Sequence, residues 1–373
     1  MDRGITAEIS LEALSQNLAE IRKLAGGRAV IAVVKADAYG HGAVEVSRRL
    51  EREGVEFLAT AFTSEARELR EAGINSPIIV LFDPDPGDIF SYDLIPVISD
   101  NKTASHLSSE ALRRGRELIV HIKVDTGMGR MGLKDNAVED IIDIARFPGL
   151  LIDGVMSHFS EADLADHSFA VRQIESLRSL RQALKQKGIR PRLYHIANSA
   201  AIINLPEACF DAVRPGIMLY GYSSLQSGAE VVSVAGNHVS FLRPVMSLKA
   251  RLIRLRRLCS GTPVSYGRTF VTKRDSLIGV MAAGYADGFS RCFSNNAEVL
   301  VRGRRVPVAG RVCMDLTMLD LTDVEDVAEG DDVVIVGRQG SESIDACECA
   351  LRADTIPYEI LTSLGRPAHK VYI

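Results

Sequence analysis

No stretch of this 373-residue sequence approaches the roughly 20 apolar residues that a membrane-spanning helix requires, and Met1-Asp2-Arg3-Gly4-Ile5 opens without an apolar run of signal-peptide length. The expectation is a cytoplasmic protein. Cysteine is sparse and scattered: Cys209, Cys259, Cys292, Cys313, Cys347 and Cys349 form no C-x-x-C pair, which leaves neither a disulfide framework nor a zinc site. Cys347-x-Cys349 reads as two small packing residues on a helix. The eight histidines include no H-x-x-x-H pair, so no metal site is expected. Excess positive charge is missing too. A net charge of −4 gives no general attraction to nucleic acid or to an anionic membrane, and the cluster Arg251, Arg254, Arg256, Arg257 reads as the solvated side of a strand or helix. No internal repeat or low-complexity tract occurs.

What is present suffices for a large core. With 46% hydrophobic and 25% charged residues, the chain is neither disordered nor collagen-like, and its length favours two domains. From residue 29 to about residue 220, short apolar runs alternate with amphipathic segments. Ala29 to Val34, Phe57 to Ala61, Ile78 to Phe82, Leu94 to Ile98, Leu118 to Val124, Leu151 to Met156, Arg192 to Ile196 and Asp211 to Tyr220 are strand candidates. Between them, Ala43 to Glu53, Ser64 to Ala72, Lys102 to Arg114, Asn136 to Arg146 and His167 to Lys187 carry apolar residues at helical spacing. Eight strands at a period of about 25 residues predict a parallel (β/α)8, TIM-like barrel, with an open doubly wound sheet as runner-up. After about Gly236 the texture changes: Val299 to Val308 reads as a hairpin, and Leu316 to Leu321 and Val333 to Val336 as further strands. The expected class is α/β plus all-β, with a barrel over residues 1–236 and a mainly β domain over 237–373, the boundary falling between residues 225 and 245.

In such a barrel, chemistry collects at the carboxyl ends of the strands. There the sequence places Lys35, then His121-Ile122-Lys123-Val124-Asp125-Thr126-Gly127-Met128-Gly129-Arg130, then Ser157-His158, His195-Ile196-Ala197-Asn198-Ser199 and Val213-Arg214-Pro215-Gly216-Ile217. A lysine acts as nucleophile or base only when desolvation or a neighbouring cation depresses its pKa. A strand tip opening into Ala36-Asp37-Ala38-Tyr39-Gly40-His41-Gly42 is such a seat, although any single lysine at a strand end more often snorkels to water.

The ordered series V-K-A-D-A-Y-G-H-G, K-V-D-T-G-M-G-R-M-G, S-H-F, N-S, R-P-G-I, V-S-Y-G, G-Y-A-D-G, G-R-V-C-M-D and T-I-P-Y-E, spread over about residues 5 to 365, closely resembles the alanine racemases. The resemblance implies a pyridoxal 5′-phosphate enzyme with an N-terminal barrel and a C-terminal β domain, interconverting L- and D-alanine and, in bacteria, supplying D-alanine to peptidoglycan. It implies that Lys35 holds the cofactor as a Schiff base and serves as one of two bases. Tyr39, Ser199, Tyr358 and the backbone N–H groups of Gly216 and Ile217 would hold the phosphate. Arg214 would face the pyridine nitrogen, with His158 next in the hydrogen-bond chain. Because a guanidinium stays protonated, that nitrogen would not be, and a weaker electron sink would suppress transamination.

Tyr266 would be the second base, given by one subunit to the barrel of its partner, so that a head-to-tail homodimer shares two sites. Lys123, facing Arg130, would be carbamylated. Arg130 and the backbone N–H of Met314 would take the substrate carboxylate, with Asp315 supporting the neighbourhood of Tyr266. Asp163, Tyr285, Arg291, Arg311 and Ile356 match a substrate corridor. Taken without the resemblance, Tyr266 reads as an edge-strand tyrosine at a domain interface, Ser199 as a helix N-cap and His158 as a structural histidine. Leu316, where a glutamine is common, and Glu161, where a small residue is common, bear on substrate preference and make a serine or broad-specificity racemase the nearest alternative. A pyridoxal-phosphate decarboxylase should carry a C-E-S-x-D motif where this chain has Cys313-Met314-Asp315. A non-catalytic cofactor-binding barrel would be shorter and would not need the residues after 240.

Overall fold

In a computed structural model of the chain, the structure describes residues 4–223 and 242–373. Eight parallel strands form the first domain: β2 (Ala29–Val33), β3 (Phe57–Phe62), β4 (Ile78–Asp83), β5 (Ile95–Ile98), β6 (Leu118–Lys123), β7 (Leu150–Met156), β8 (Leu193–His195) and β9 (Ala212–Val213). They pair in the order β8-β7-β6-β5-β4-β3-β2-β9. Their near-continuous Val, Ile and Leu content follows from burial on both faces, since helices cover the outside and side chains fill the inside. Between β8 and β9 the ring is drawn together by backbone hydrogen bonds from Asp211 to Tyr194 (2.9 Å) and from Arg214 to Ala197 (2.8 Å). The expected barrel is thus present. The helices fall where the periodicity put them, at Ala43–Arg52, Thr63–Glu71, Asn101–Arg114, Ala137–Ile144 and Ser168–Gln186.

One expected strand is mostly something else. Of the run Asp211 to Tyr220 only Ala212–Val213 is extended, and Ile217–Tyr220 is a 3-10 turn. Pro215 has no N–H for a ladder, and Gly216 lets the backbone turn.

The second domain is built on a nine-stranded sheet. Its spine runs β15 (Arg304–Pro307), β14 (Glu298–Val301), β17 (Asp332–Gln339), β10 (Met246–Leu258), β1 (Thr6–Ile9) and β19 (His369–Tyr372). Strand β13 (Ser276–Met281) adds to β10, β16 (Thr317–Asp320) to β13 and β18 (Glu342–Ile344) to β17. The short pair β11 (Pro263–Val264) and β12 (Phe270–Val271) stands apart. The expected hairpin is β14–β15, and the four arginines of the cluster are exposed along β10. Strand β1 pairs antiparallel to β10 and parallel to β19, so residues 6–9 belong to the second sheet although the sequence reading began the barrel at residue 1. The 236/237 boundary lies outside the described residues. Among those described, no helix is long and apolar enough to cross a membrane. All six cysteines carry free thiols, and Cys347 and Cys349 are buried on the helix Ala346–Ala353.

The N-terminal helix Leu11–Ala25, whose N-cap Ser10 accepts from Ala13 N–H, ties the two domains through one buried amide. Asn17 Nδ2 donates to the carbonyls of Leu219 (3.0 Å) and Arg243 (2.8 Å), and its Oδ1 accepts from Arg243 N–H (2.8 Å). Removing that side chain strands buried backbone groups, each costing about 1–3 kcal/mol. Asn17→Ala is therefore expected to lower unfolding free energy by about 2–4 kcal/mol, read as a drop in urea midpoint at unchanged slope.

Candidate active site

Lys35 follows β2 after one residue, Val34, and opens a turn of uncommon backbone. Ala36, Asp37, Ala38 and Tyr39 have φ of 54°, 56°, 52° and 56°, a left-handed turn made without glycine. Each such residue costs roughly 1–2 kcal/mol, so neighbours must hold the turn in place. Glu65 Oε1 accepts from Ala36 N–H (2.7 Å) while its Oε2 accepts from Ala61 N–H (2.7 Å). Asp37 Oδ1 accepts from Ala43 N–H (2.7 Å), and its Oδ2 pairs with Lys370 (3.1 Å). Tyr39 packs against Tyr220 and Tyr358, with ring centroids 4.9 and 5.9 Å away. Gly40 ends the turn where a Cβ would stand 2.6 Å from the Leu361 carbonyl. The sequence suggested small residues turning into a helix; the helix starts only at Ala43.

A cavity of about 190 Å³ opens over this turn at the carboxyl ends of the strands. It is lined by Lys35, Tyr39, Lys123, Arg130, His158, Ser199, Arg214, Gly216, Ile217 and Tyr358, together with Phe82, Asn198 and three aliphatic side chains. All the barrel residues proposed for cofactor and carboxylate binding therefore meet. Three cations surround one ring, with Lys35 Nζ, Lys123 Nζ and the Arg130 guanidinium at 5.7, 5.0 and 5.5 Å from the centroid of Phe82. Burial, then Arg130, pushes Lys35 below the usual lysine range, with Glu65 acting against them. Burial, then Arg130 and Arg214, takes Lys123 down to about 8. The cavity is poor in counter-charge and suited to an anion.

Arg214 is 4% exposed and is held by neutral acceptors. One terminal nitrogen donates to His195 Nδ1 (2.7 Å) and the His195 carbonyl (2.9 Å). The other donates to the carbonyls of Ser157 (2.6 Å) and Ile196 (3.3 Å) and to His158 Nδ1 (3.2 Å). Burial lowers its pKa to about 9, which still leaves a cation at neutral pH. Burial and then Arg214 hold His158 and His195 well below the histidine range, so both are neutral. His158 is fixed in turn by Gln173, which donates to its carbonyl (3.0 Å). Ser199 begins the helix Ser199–Asn204, whose N-cap is Asn198. Its Oγ accepts from Gly216 N–H (2.9 Å) and Met218 N–H (3.3 Å), so it has only its own proton left to give. A Cβ on Gly216 would lie 2.4 Å from the Tyr39 hydroxyl, which makes that glycine a condition of the cavity's shape.

Tyr358 apart, the second-domain residues proposed for the site lie outside that cavity. Tyr266 is 67% exposed and lines a separate depression with Ser265, Cys313, Met314, Asp315 and Leu316. Ser265, at φ 64°, donates to the Arg311 carbonyl (2.6 Å), and Tyr285 N–H donates to the Cys313 carbonyl (3.0 Å). Tyr285, Met314 and Ile356 are exposed apolar side chains, and Asp163, Arg291 and Arg311 are exposed as well. None of these residues lines the cavity at Lys35. Sequence reasoning did not single out Phe82, Glu65 or the partnership of His195 with Arg214. Only His195 left a trace, as a polar residue in the last position of a buried strand.

Two family models match the chain: "Alanine racemase, N-terminal domain" over residues 9–224 and "Alanine racemase, C-terminal domain" over residues 245–372. An alanine racemase of Thermodesulfovibrio yellowstonii is 52% identical across all of this chain and 99% of its own length. One from Carboxydothermus hydrogenoformans is 40% identical over the full length of both. Among solved structures, the alanine racemase of the D-cycloserine producer Streptomyces lavendulae superposes with a TM-score of 0.91 at 35% identity, covering 100% of this chain and 98% of that one. That of Bartonella henselae, described with covalently bound pyridoxal phosphate, gives 0.86 at 28% identity over the whole of both chains. With both domain models in order along its length and relatives matched from end to end, the chain belongs to the alanine racemase family.

Proposed function

We propose that the chain interconverts L- and D-alanine with pyridoxal 5′-phosphate held in the barrel mouth, working as a homodimer. The observation that carries this is the cavity itself: a depressed lysine, two further cations and a buried arginine around one phenyl ring, beside a hydroxyl and a glycine-lined hollow. The residues fit the cofactor. Ser199 has one proton to give, Gly216 leaves room beside Tyr39, and Tyr358 stands on the same wall; with Ile217 these would hold a phosphate. Arg214, fixed by five neutral acceptors, would donate to the ring nitrogen. Bound there, the cofactor supplies an electron sink that acidifies the α-hydrogen of an attached amino acid.

Lys35 would carry the cofactor and move the α-proton on one face, its burial favouring the neutral amine. Tyr266 would act on the other face. In its own chain it lies outside the Lys35 cavity and exposed to solvent, which supports its delivery to a second copy. Arg130 and the Met314 N–H would hold the carboxylate, Asp315 would support Tyr266, and Asp163, Tyr285, Arg291, Arg311 and Ile356 would line the corridor. Glu161 and Leu316 would tune side-chain preference. Lys123, with a pKa near 8, has a substantial neutral fraction at physiological pH, the form that takes up carbon dioxide; the resulting carbamate would turn one cation beside Arg130 into an anion that orients it.

Borohydride treatment of the holoenzyme is expected to leave a pyridoxyl group on the peptide containing Lys35, and a chiral assay to show L- and D-alanine interconverting; a protein that takes up no pyridoxal phosphate would refute the reading. Tyr266→Phe should abolish exchange of the α-hydrogen of L-alanine with deuterated water while sparing that of D-alanine, as followed by proton NMR. In buffer freed of carbon dioxide, acylation of Lys123 should rise with pH through a midpoint near 8, because only the neutral amine reacts. Arg130→Ala should move that midpoint upward, and added bicarbonate should protect the lysine, both read by peptide mass spectrometry.

A further inference from the structure

Beneath Arg214 the barrel interior holds two fully buried histidines, His195, which accepts from it, and His121, which has no role assigned above. Arg214 donates to His195 Nδ1 at 2.7 Å, and His195 Nε2 lies 2.9 Å from His121 Nδ1. A guanidinium has only donors, so His195 Nδ1 is bare and its single proton sits on Nε2. That proton goes to His121 Nδ1, which places the proton of His121 on its own Nε2. There it is buried with no hydrogen-bond partner among the described residues. It faces Asp153, 3.7 Å from Oδ2, a separation longer than a hydrogen bond but short enough for the N–H dipole to meet a carboxylate. Burial lowers the pKa of both histidines, which agrees with neutral rings.

The chain of contacts is built into the strands. His121 and Lys123 are two apart on β6 and share its inner face, His121 one layer lower. The register between β6 and β7 shifts at Val120/His121. Gly154 gives His121 its space, since a Cβ there would stand 2.6 Å from the imidazole. Asp153 sits beside that glycine and lines a cavity at the opposite end of the barrel from Lys35. Arg192 holds it there by two contacts, Nε to Oδ1 at 2.9 Å and Nη2 to Oδ2 at 2.8 Å. His121 and Arg192 keep its carboxyl ionised, well below the usual range.

We propose that Asp153 is a positioning residue for Arg214: from the far end of the barrel its carboxylate holds the protons of His121 and His195 in one direction, and so keeps Arg214 a fixed donor toward the cavity. The assignment rests on the reading of Arg214 as the partner of the cofactor's ring nitrogen. Hydrogen bonds that point one way polarise one another, so a charge at the end strengthens the acceptor that Arg214 meets at the start. Without that charge, a buried N–H faces nothing, and His121 gains by reversing its tautomer, which sets two N–H groups against each other between the histidines.

The test is nitrogen-15 NMR of the histidine rings in the full-length protein, with and without pyridoxal phosphate, together with the ratio of transamination to racemisation of alanine. In the parent, both His121 and His195 are expected as neutral Nε2–H tautomers; an Nδ1–H form on either overturns the proposal before any variant is made. Asp153→Asn, whose amide can donate, should shift His121 toward Nδ1–H and raise the transamination ratio about tenfold, the size of one charge-assisted contact. Arg192→Gln removes the same surface ion pair but keeps the carboxylate, so its tautomers and ratio should stay within about twofold of the parent. Equal effects from the two variants, or parent behaviour in Asp153→Asn, would overturn the role. Failure to take up pyridoxal phosphate would instead sink the reading of the site, while the ring spectra still decide the direction of the chain.

Discussion

A guanidinium gives hydrogen bonds and cannot take one, and that one-sidedness at Arg214 orders everything packed around it. Three carbonyls and two imidazoles must turn their lone pairs toward it. The strand ends carrying Ser157, His158 and His195 are thereby fixed in register and in protonation state together. The cost of burying the cation without a carboxylate beside it is met by this ring of dipoles, and the result is a charge held rigidly on the floor of the cavity. Around the rim the opposite principle operates. Lys35, Lys123 and Arg130 crowd one phenyl ring with little in the protein to neutralise them, so the mouth favours anions. A dianionic phosphate and a carboxylate would complete it.

The turn after Lys35 shows how such a site is held. Four consecutive left-handed residues are affordable only because Glu65, Asp37 and the Tyr39 ring each have a partner from a different part of the fold, including Lys370 near the far end of the sequence. Strain here is local while its support is distant, the usual arrangement where geometry matters more than stability.

That division also explains what could be read from the sequence. The barrel was legible because each strand and each helix carries its own periodicity within a dozen residues, and Lys35, Lys123, His158 and Arg214 were legible because a strand tip is a position that local pattern defines. The run Asp211 to Tyr220 misled because its apolar content looks extended while Pro215 and Gly216 end the ladder. Three features had no local signature at all. The left-handed turn depends on clamps from elsewhere, the pairing of β1 with β10 spans about 240 residues of chain, and the contacts of His121 with His195 and Asp153 arise only when β6, β7 and β8 stand side by side. The placement of Tyr266 was implied by family resemblance; one chain by itself leaves it in open solvent.

Strand β1 lies between β10 and β19, hydrogen-bonded to both. During synthesis β1 leaves the ribosome before β10 and well before β19. The N-terminal strand must therefore wait, with one or both edges unpaired, while the whole barrel is made and the second domain follows. Its short length of four residues and its alternating burial keep that waiting edge a poor template for aggregation. Its pairing with β19 joins residues about 360 apart in the sequence, so this part of the sheet can close only after the chain between them has been made.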